Sequence, residues 1–507
     1  MKPSVTEPTT RRRALDRAIR LALVSGLSLG LGLGWAQEAD EADNETTTED
    51  AADLGAVEVT ARRRSETLRD VPISVTAISG EDLEDRGAQD ITYLNQVVPN
   101  ATIEISRGTT NTLSTFIRGV GQQDPVAGFE NGVGIYLDDV YLNRPQGVVL
   151  DIYDVERVEV LRGPQGTLYG RNTIGGAIKY VTKRLGREAT ASLEGSIGSF
   201  SQTDFIASGE MPIGDTFAVG ASVASFNRDG YGENLTTGEE NYDKDLLAFR
   251  ASAEWTPTYN LFVRLAADWM EDNSSPVGGH RLIPGLSSGA PVLDDVYDSR
   301  GGIMGRHEAE QKGAALTVEY DINPNWLFKS ITAYREDENW QQIDFDALPA
   351  ADVDVPVLYS NEQFSQELQL NFTSERVTGV AGFYYLDANA FNAFDVLLAP
   401  TGDLIGVPGL NANTLGDVDT SSWSVFADVS FDLAAYFGLD TGLELALGGR
   451  YTSDERDSRV LRQTFAGGNS PRFGGMGVPI ATTSDFRGDE EFTEFTPRVS
   501  LAWQPND

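Results

Sequence analysis

From about residue 189 onward, apolar and polar residues alternate at period two over segments of roughly ten residues, the length of a tilted strand that crosses a membrane. In WSVFADVSFDL one face carries Trp423, Val425, Ala427, Val429, Phe431 and Leu433, and the other Ser424, Phe426, Asp428, Ser430 and Asp432. ALTVEYDI sets Leu316, Val318, Tyr320 and Ile322 against Thr317, Glu319 and Asp321. LELALGGRY sets Leu443, Leu445 and Leu447 against Glu444, Ala446 and Gly448. The pattern predicts about twelve such strands. Short turns are expected near Pro212–Asp215, Thr256–Tyr259, Ile322–Asn325, Thr373–Glu375 and Asp432–Gly442. Longer connections are expected near 228–244, 272–310, 337–360, 388–421 and 455–491. Alternating short and long connections characterise antiparallel β-barrels of outer membranes. A soluble sandwich or propeller would account for the period, but not for that alternation.

Upstream, over about 68–185, the texture is that of a compact α+β unit. Ser79 and Asp90 are suited to cap two short helices, the first ending near Gly87 and the second stopped by Pro99. Strand-like runs follow: ATIEIS, STFIRGV, VGIYLDDVYL, VERVEVLRG and GGAIKYVTK. Asp138-Asp139 reads either as a hairpin turn or as part of one bent strand.

Composition narrows the function classes. The 507 residues carry 77 acids against 39 Lys and Arg, a net charge of −38, which disfavours a nucleic-acid partner. There is no cysteine, and His280 and His307 are the two histidines. No disulfide or thiolate metal site is possible, no metal-ligand set or Ser-His-Asp set is visible, and no cofactor is expected. An enzyme is therefore not expected.

Residues 1–36 read as a signal peptide, with Arg11, Arg12, Arg13, Arg17 and Arg20 preceding the apolar run Leu21 to Ala36. That run is short for a membrane anchor helix. Residues 37–56 form an acidic tether too polar to bury a core, with eight acids and no base over 37–53. VEVTA, Val57 to Ala61, is a β-prone island between the tether and the basic run Arg62–Arg64.

The stretch RVEVLRGPQGTLYGRNTIGGAIKYVTK, Arg157 to Lys183, places five glycines between Gly163 and Gly176. It lacks the lysine of a P-loop and the spacing of a dinucleotide fingerprint, and β-branched AIKYVTK follows instead of a helix. The glycines suit turns and close approach between strands.

This stretch resembles the signature of the plug domain of TonB-dependent outer-membrane receptors. FIRGVG, GVGIYLDDVYL and DVPISVTAISGEDL resemble other plug segments, and FTPRVSLAW is similar to a barrel strand of the same family. The resemblance implies a TonB box at 57–61 (Val57, Glu58, Val59, Thr60 and Ala61), a plug at 62–188 and a β-barrel at 189–507. It also implies an outer-membrane location in a Gram-negative cell. The expected partners are periplasmic TonB, outer-membrane lipid and a large scarce nutrient such as a ferric siderophore. Such a receptor would import its cargo by TonB-driven rearrangement of the plug.

An extended box can add a strand to the edge of a partner's sheet. Arg118, Arg157, Glu159, Arg162 and Arg171 are candidates for a releasable latch between plug and wall, or for static charge pairing. Gln122, Gln123 and Asp124 are candidates for a ligand-facing apex. Plugged transporters of this class have 22 strands, so about twelve would make the chain an incomplete barrel. The competing reading is a passive porin or surface adhesin with a plug-like domain; a soluble nucleotide-binding enzyme is disfavoured by the failed loop spacings.

Overall fold

A computed structural model of the chain describes residues 58–285, 288–303, 307–439 and 441–505. The signal peptide, the tether and Val57 lie outside the described residues. Every described element belongs to one contact unit, Ala56–Asp507.

The first part builds two small sheets with short helices. A ribbon of β1 (Glu58–Val59) and β2 (Glu66–Thr67) opens it. Then come β3 (Ser74–Ser79) and α1 (Gly80–Asp85), whose first turn is capped by Ser79 Oγ accepting the Asp82 N–H. Asp90 caps the next turn through the Thr92 N–H, and α2 (Leu94–Val97) ends before Pro99. β4 (Ala101–Ile105), β5 (Leu113–Ile117) and β6 (Val120–Gln122) form a three-stranded sheet.

β7 (Val133–Leu137), β8 (Val140–Leu142), β9 (Val155–Arg162) and β10 (Gly176–Thr182) join β3 in the order β3-β9-β10-β7-β8. Within it β10 pairs with β7 in parallel and with β9 antiparallel. Asp138 and Asp139 both have positive φ, 47° and 68°, and form the two-residue turn between β7 and β8, so the hairpin reading holds. Asp138 earns that strained position by accepting the Thr182 N–H and hydroxyl at 2.8 and 2.7 Å.

The glycine-rich stretch contains one feature that its sequence did not announce. A single helical turn, α3 (Gly166–Tyr169), sits between β9 and β10, so the expectation of strands alone is corrected. Its residues Leu168 and Tyr169 are buried beneath Phe426 and Val380, which makes one turn worth forming. The glycine at 176 is required by contact: a Cβ there would lie 2.1 Å from the Leu161 carbonyl oxygen.

The remainder is one antiparallel sheet. Its strands are β11 (Thr190–Ile197), β12 (Thr203–Ile213), β13 (Phe217–Arg228), then a small ribbon β14 (Gly232–Glu233) and β15 (Glu240–Asn241) off to the side. β16 (Lys244–Thr258), β17 (Leu261–Asp272), β18 (Glu308–Asn323), β19 (Trp326–Asp344) and β20 (Asp352–Thr373) continue it. β21 (Val377–Phe394), short β22 (Leu397–Leu398), α4 (Ala399–Ile405), β23 (Asn411–Asp432), α5 (Leu433–Phe437), β24 (Gly442–Ala466) and β25 (Val478–Gln504) complete it. Consecutive long strands pair throughout, and β11 and β25 each pair on one side.

Burial is inverted relative to a soluble sheet. Trp423 and Val425 are exposed, while Ser424 and Asp428 are 0% and 1% exposed. On the central strands β20 and β23 the apolar face therefore looks outward and the polar face is covered, as a lipid-facing wall requires, whereas β11 and β25 are exposed along most of their length. Two rows of exposed aromatics bound the apolar band. Trp255, Tyr259, Trp326, Tyr436 and Trp503 lie beside the short turns, and Tyr334, Phe364, Phe383, Trp423 and Tyr451 lie farther along the strands. Trp326 and Tyr334 are eight residues apart on β19, or ~27 Å along a strand, which a ~40° tilt reduces to about 20 Å across the band.

Three expected long connections are shorter than the alternation suggested. β19 and β20 run on to Asp344 and from Asp352, so their connection is 345–351. The β21–β23 and β24–β25 connections shrink to 395–410 and 467–477. Beyond Tyr334 both faces of β19 are polar, REDENWQQID, so the period-two signal vanishes although the ladder continues into water. The connection 273–307 remains long and carries His280, while His307 adjoins β18. No described helix is long and apolar enough to cross a membrane.

Candidate functional site

The segment that follows the tether is docked on the plug. Val59 and Ala61 are fully buried among Tyr136, Leu161, Tyr169 and Ala177. Glu58 pairs with Thr67 and Val59 with Glu66 in the β1–β2 ribbon. Thr60 sits at the end of the ribbon and is gripped from the β9–β10 pair, where Glu159 and Lys179 are cross-strand partners. Its N–H donates to both Glu159 oxygens at 2.9 and 3.1 Å, and its hydroxyl contacts Glu159 Oε1 and Lys179 Nζ. Its carbonyl accepts from Lys179 Nζ at 3.2 Å and from the Tyr169 hydroxyl at 3.1 Å. Every polar group of Thr60 is thus engaged by three plug side chains.

The next three residues tie the plug to the wall. Arg62 reaches Glu66, Ser430 on β23 and Glu444 on β24. Arg64 reaches Glu66 and Ser430. Arg63 is buried, stacks over the Tyr169 ring at 4.4 Å, and pairs with Asp139 at 3.5 Å and with Glu367 on β20 at 3.3 Å. Asp139, in the β7–β8 turn, also pairs with Lys179 and with Lys329 on β19, both at 3.0 Å. Burial opposes charge on Asp139, but Lys179, Lys329 and Arg63 outweigh it and hold the carboxyl well below its usual range. Burial likewise opposes charge on Arg63, and Glu367, Tyr169 and Asp139 raise it instead.

A second ionic group lies farther along the wall. Arg171 pairs with Glu130 at 3.1 Å and with Asp454 on β24 at 3.7 Å, and Arg456 on β24 meets Glu130 at 3.0 Å. Burial opposes ionisation of Glu130, but Arg171, Arg456 and Arg144 lower its pKa.

The five latch candidates therefore fall in different places. Arg171 bridges plug and wall. Glu159 holds Thr60 and Arg157, within the plug. Arg162 donates to the Pro99 carbonyl at 3.3 Å, also within the plug. Arg118 is exposed at a positive φ of 53° and approaches Gly163. The wall contacts of Arg62, Arg63 and Arg64 were not singled out from sequence. An arginine run directly after a β-prone island was the available signal, and its acidic partners on the wall, Glu367 and Glu444, are hundreds of residues away.

Gln122, Gln123 and Asp124 lie at the end of β6 and in the loop after it, with Gln123 and Asp124 exposed. Gln122 Oε1 accepts the N–H groups of Gln123 and Asp124, and Asp124 pairs with Arg107 at 3.2 Å. Arg144 collects the carbonyls of Pro125, Val126 and Phe129 at 2.8 Å, shaping the loop from below. A cavity of about 490 Å³ separates the plug from strands β11–β17, with Asp138, Asp154, Arg250, Arg264 and Asp268 among its lining.

Comparison with known proteins places this arrangement. The family described as TonB-dependent Receptor Plug Domain matches residues 67–177, and that described as TonB dependent receptor-like, beta-barrel matches 248–507. The chain is 26% identical over 321 residues to an iron-regulated outer membrane virulence protein of Vibrio cholerae, covering 59% of this chain and 46% of that protein. It is 24% identical over 293 residues to the catecholate siderophore receptor Fiu of Escherichia coli O157:H7, covering 57% and 36%. The chain thus spans less than half the length of these relatives. Its fold superposes on the ferric yersiniabactin uptake receptor FyuA from Yersinia pestis with a TM-score of 0.68 at 19% identity, covering 85% of this chain and 62% of that one. With the barrel match alone spanning more than half of its residues, the chain belongs to the TonB-dependent receptor family.

Proposed function

We propose that the protein acts in the outer membrane as an energised receptor that imports a large scarce nutrient, foremost a ferric siderophore-type complex. The observation that carries this reading is the docking of Thr60 by Glu159, Lys179 and Tyr169. An extended segment held by a handful of polar contacts, at the end of the chain's acidic run, is a handle that a periplasmic partner can take by strand addition. TonB is that partner, and Val57 to Ala61 is its box. Pulling on the box loads Arg62, Arg63 and Arg64 next, and these connect directly to the wall. Separating them would loosen the plug from β20, β23 and β24. The names of the relatives, iron-regulated and siderophore receptor, support the cargo class. A passive porin or adhesin would leave the Thr60 clamp without a purpose.

The test is uptake of iron-55 from a panel of ferric siderophores by cells expressing the receptor, with and without TonB. Uptake should require TonB, and Val59→Pro should abolish it while surface binding persists. Uptake that is unimpaired in the variant, or independent of TonB, would overturn the reading.

A further inference from the structure

The outer end of the β19–β20 hairpin gathers four acids, Asp344, Asp346, Asp352 and Asp354, within eleven residues. Asp344 and Asp354 stand directly opposite each other in the ladder, where like charges repel. Carboxylate oxygens of Asp344, Asp346 and Asp354 all lie within 4.8 Å of one another. The charged groups acting on Asp354 are Asp344, Asp346 and Asp352, all of them acids. Arg281 comes near but donates to the main-chain carbonyl of Asp346 at 2.6 Å, not to a carboxylate.

Asp354 makes the cluster more than an acidic patch. It is 1% exposed, yet its Oδ1 has no hydrogen-bond partner. A buried carboxylate lacking both donor and counter-charge is strongly unfavourable unless it holds a proton or something cationic faces it. The other two carboxylates are already oriented by main-chain donors. Asp344 accepts the N–H groups of Gly302 and Ala347, and Asp346 that of Leu348.

We propose that Asp344, Asp346 and Asp354 bind a hard divalent cation of calcium size. Calcium takes oxygen ligands at ~2.3–2.6 Å, so ligands on opposite sides of the ion stand up to about 5 Å apart, which the cluster satisfies. Magnesium, at ~2.0–2.1 Å, demands a tighter octahedron and sheds water reluctantly. The absence of imidazole and thiolate from the set disfavours zinc and copper. Water would complete the shell. Because Asp344 also holds Gly302, a bound ion would pin the hairpin to the 273–307 connection and stiffen the outer rim.

Calorimetric titration of the purified full chain in detergent with calcium chloride, and in parallel with magnesium chloride, tests the site. One saturable calcium site is expected, with magnesium at least tenfold weaker. Asp354→Asn and Asp346→Asn should each lower calcium affinity at least tenfold with strand content by circular dichroism unchanged, whereas Asp419→Asn should not. Should Asp354→Asn lose strand content, Asp346→Asn, in the connecting loop, carries the test. Absence of saturable calcium binding, equal affinity for magnesium, or binding that survives Asp346→Asn would overturn the proposal.

Discussion

The main-chain N–H of Thr60 donates to both carboxylate oxygens of Glu159, across 99 residues of sequence. A hydrogen bond to a charged group contributes roughly 1.5–3 kcal/mol. Glu159→Gln should therefore raise the undocked population of the segment about tenfold or more. The chain has no cysteine, so a single Val59→Cys reports undocking cleanly. Labelling of that cysteine by a thiol reagent should quicken by the same factor in the Glu159→Gln background. Equal labelling rates would show that Glu159 does not hold the segment.

Arg63 carries a buried positive charge at the plug–wall seam. Replacing it with methionine removes one partner from a buried ionic network, and such losses cost about 3–5 kcal/mol. Glu367 loses its arginine, while Asp139 keeps Lys179 and Lys329. Amide hydrogen exchange over Val133–Leu142 should accelerate in Arg63→Met. Arg63→Lys should restore little, because a lysine lacks the planar fork that stacks on Tyr169 while pairing with two acids.

Attachment of the plug should depend on pH in two opposing ways. Asp139 and Glu130 have folded pKa values below their usual range, so their contribution is present above that range and is lost only as pH falls through the depressed values. Asp151 is pushed up to about 6, chiefly by burial and further by Asp90 and Asp272, against Lys244. Its sign is reversed: neutral Asp151 favours the folded plug, and that benefit fades as pH rises from about 4 through about 6. Plug stability followed by hydrogen exchange should rise on acidification from pH 7 to 5, and Asp151→Asn should flatten that rise. A wild-type profile already flat between pH 7 and 5 would refute the assignment.

Two residues on β23 should respond differently to substitution. Ala427 faces outward between the two aromatic rows, and Ser424 is buried with its hydroxyl unpartnered. Ala427→Arg should cost about 2–4 kcal/mol, the figure for an arginine near the bilayer midplane, whereas Ser424→Ala should cost little. Folding yield into lipid vesicles, scored by heat-modifiable gel mobility, checks the contrast.

How far the fold could be read in advance depended on whether its signal was local. The helix cap at Ser79 and the alternation around Trp423 are local, and the strands and the turn expected from them are present. The β19–β20 extension was not legible, because beyond Tyr334 neither face is apolar and period two has nothing to contrast. The one-turn helix at Gly166–Tyr169 is too short to show a period and exists because Phe426 and Val380 cover it.

The sequence by itself determined which face of each long strand is apolar, because lipid selects side chains one by one along an alternating backbone. It also marked VEVTA and the glycine-rich stretch as special. Only the tertiary structure decided what those marks do. Thr60 meets Glu159 and Arg63 meets Glu367 only through packing between distant segments. Charges so far apart in the chain acquire partners only once the plug lies against its wall, where low solvent access makes each pairing count.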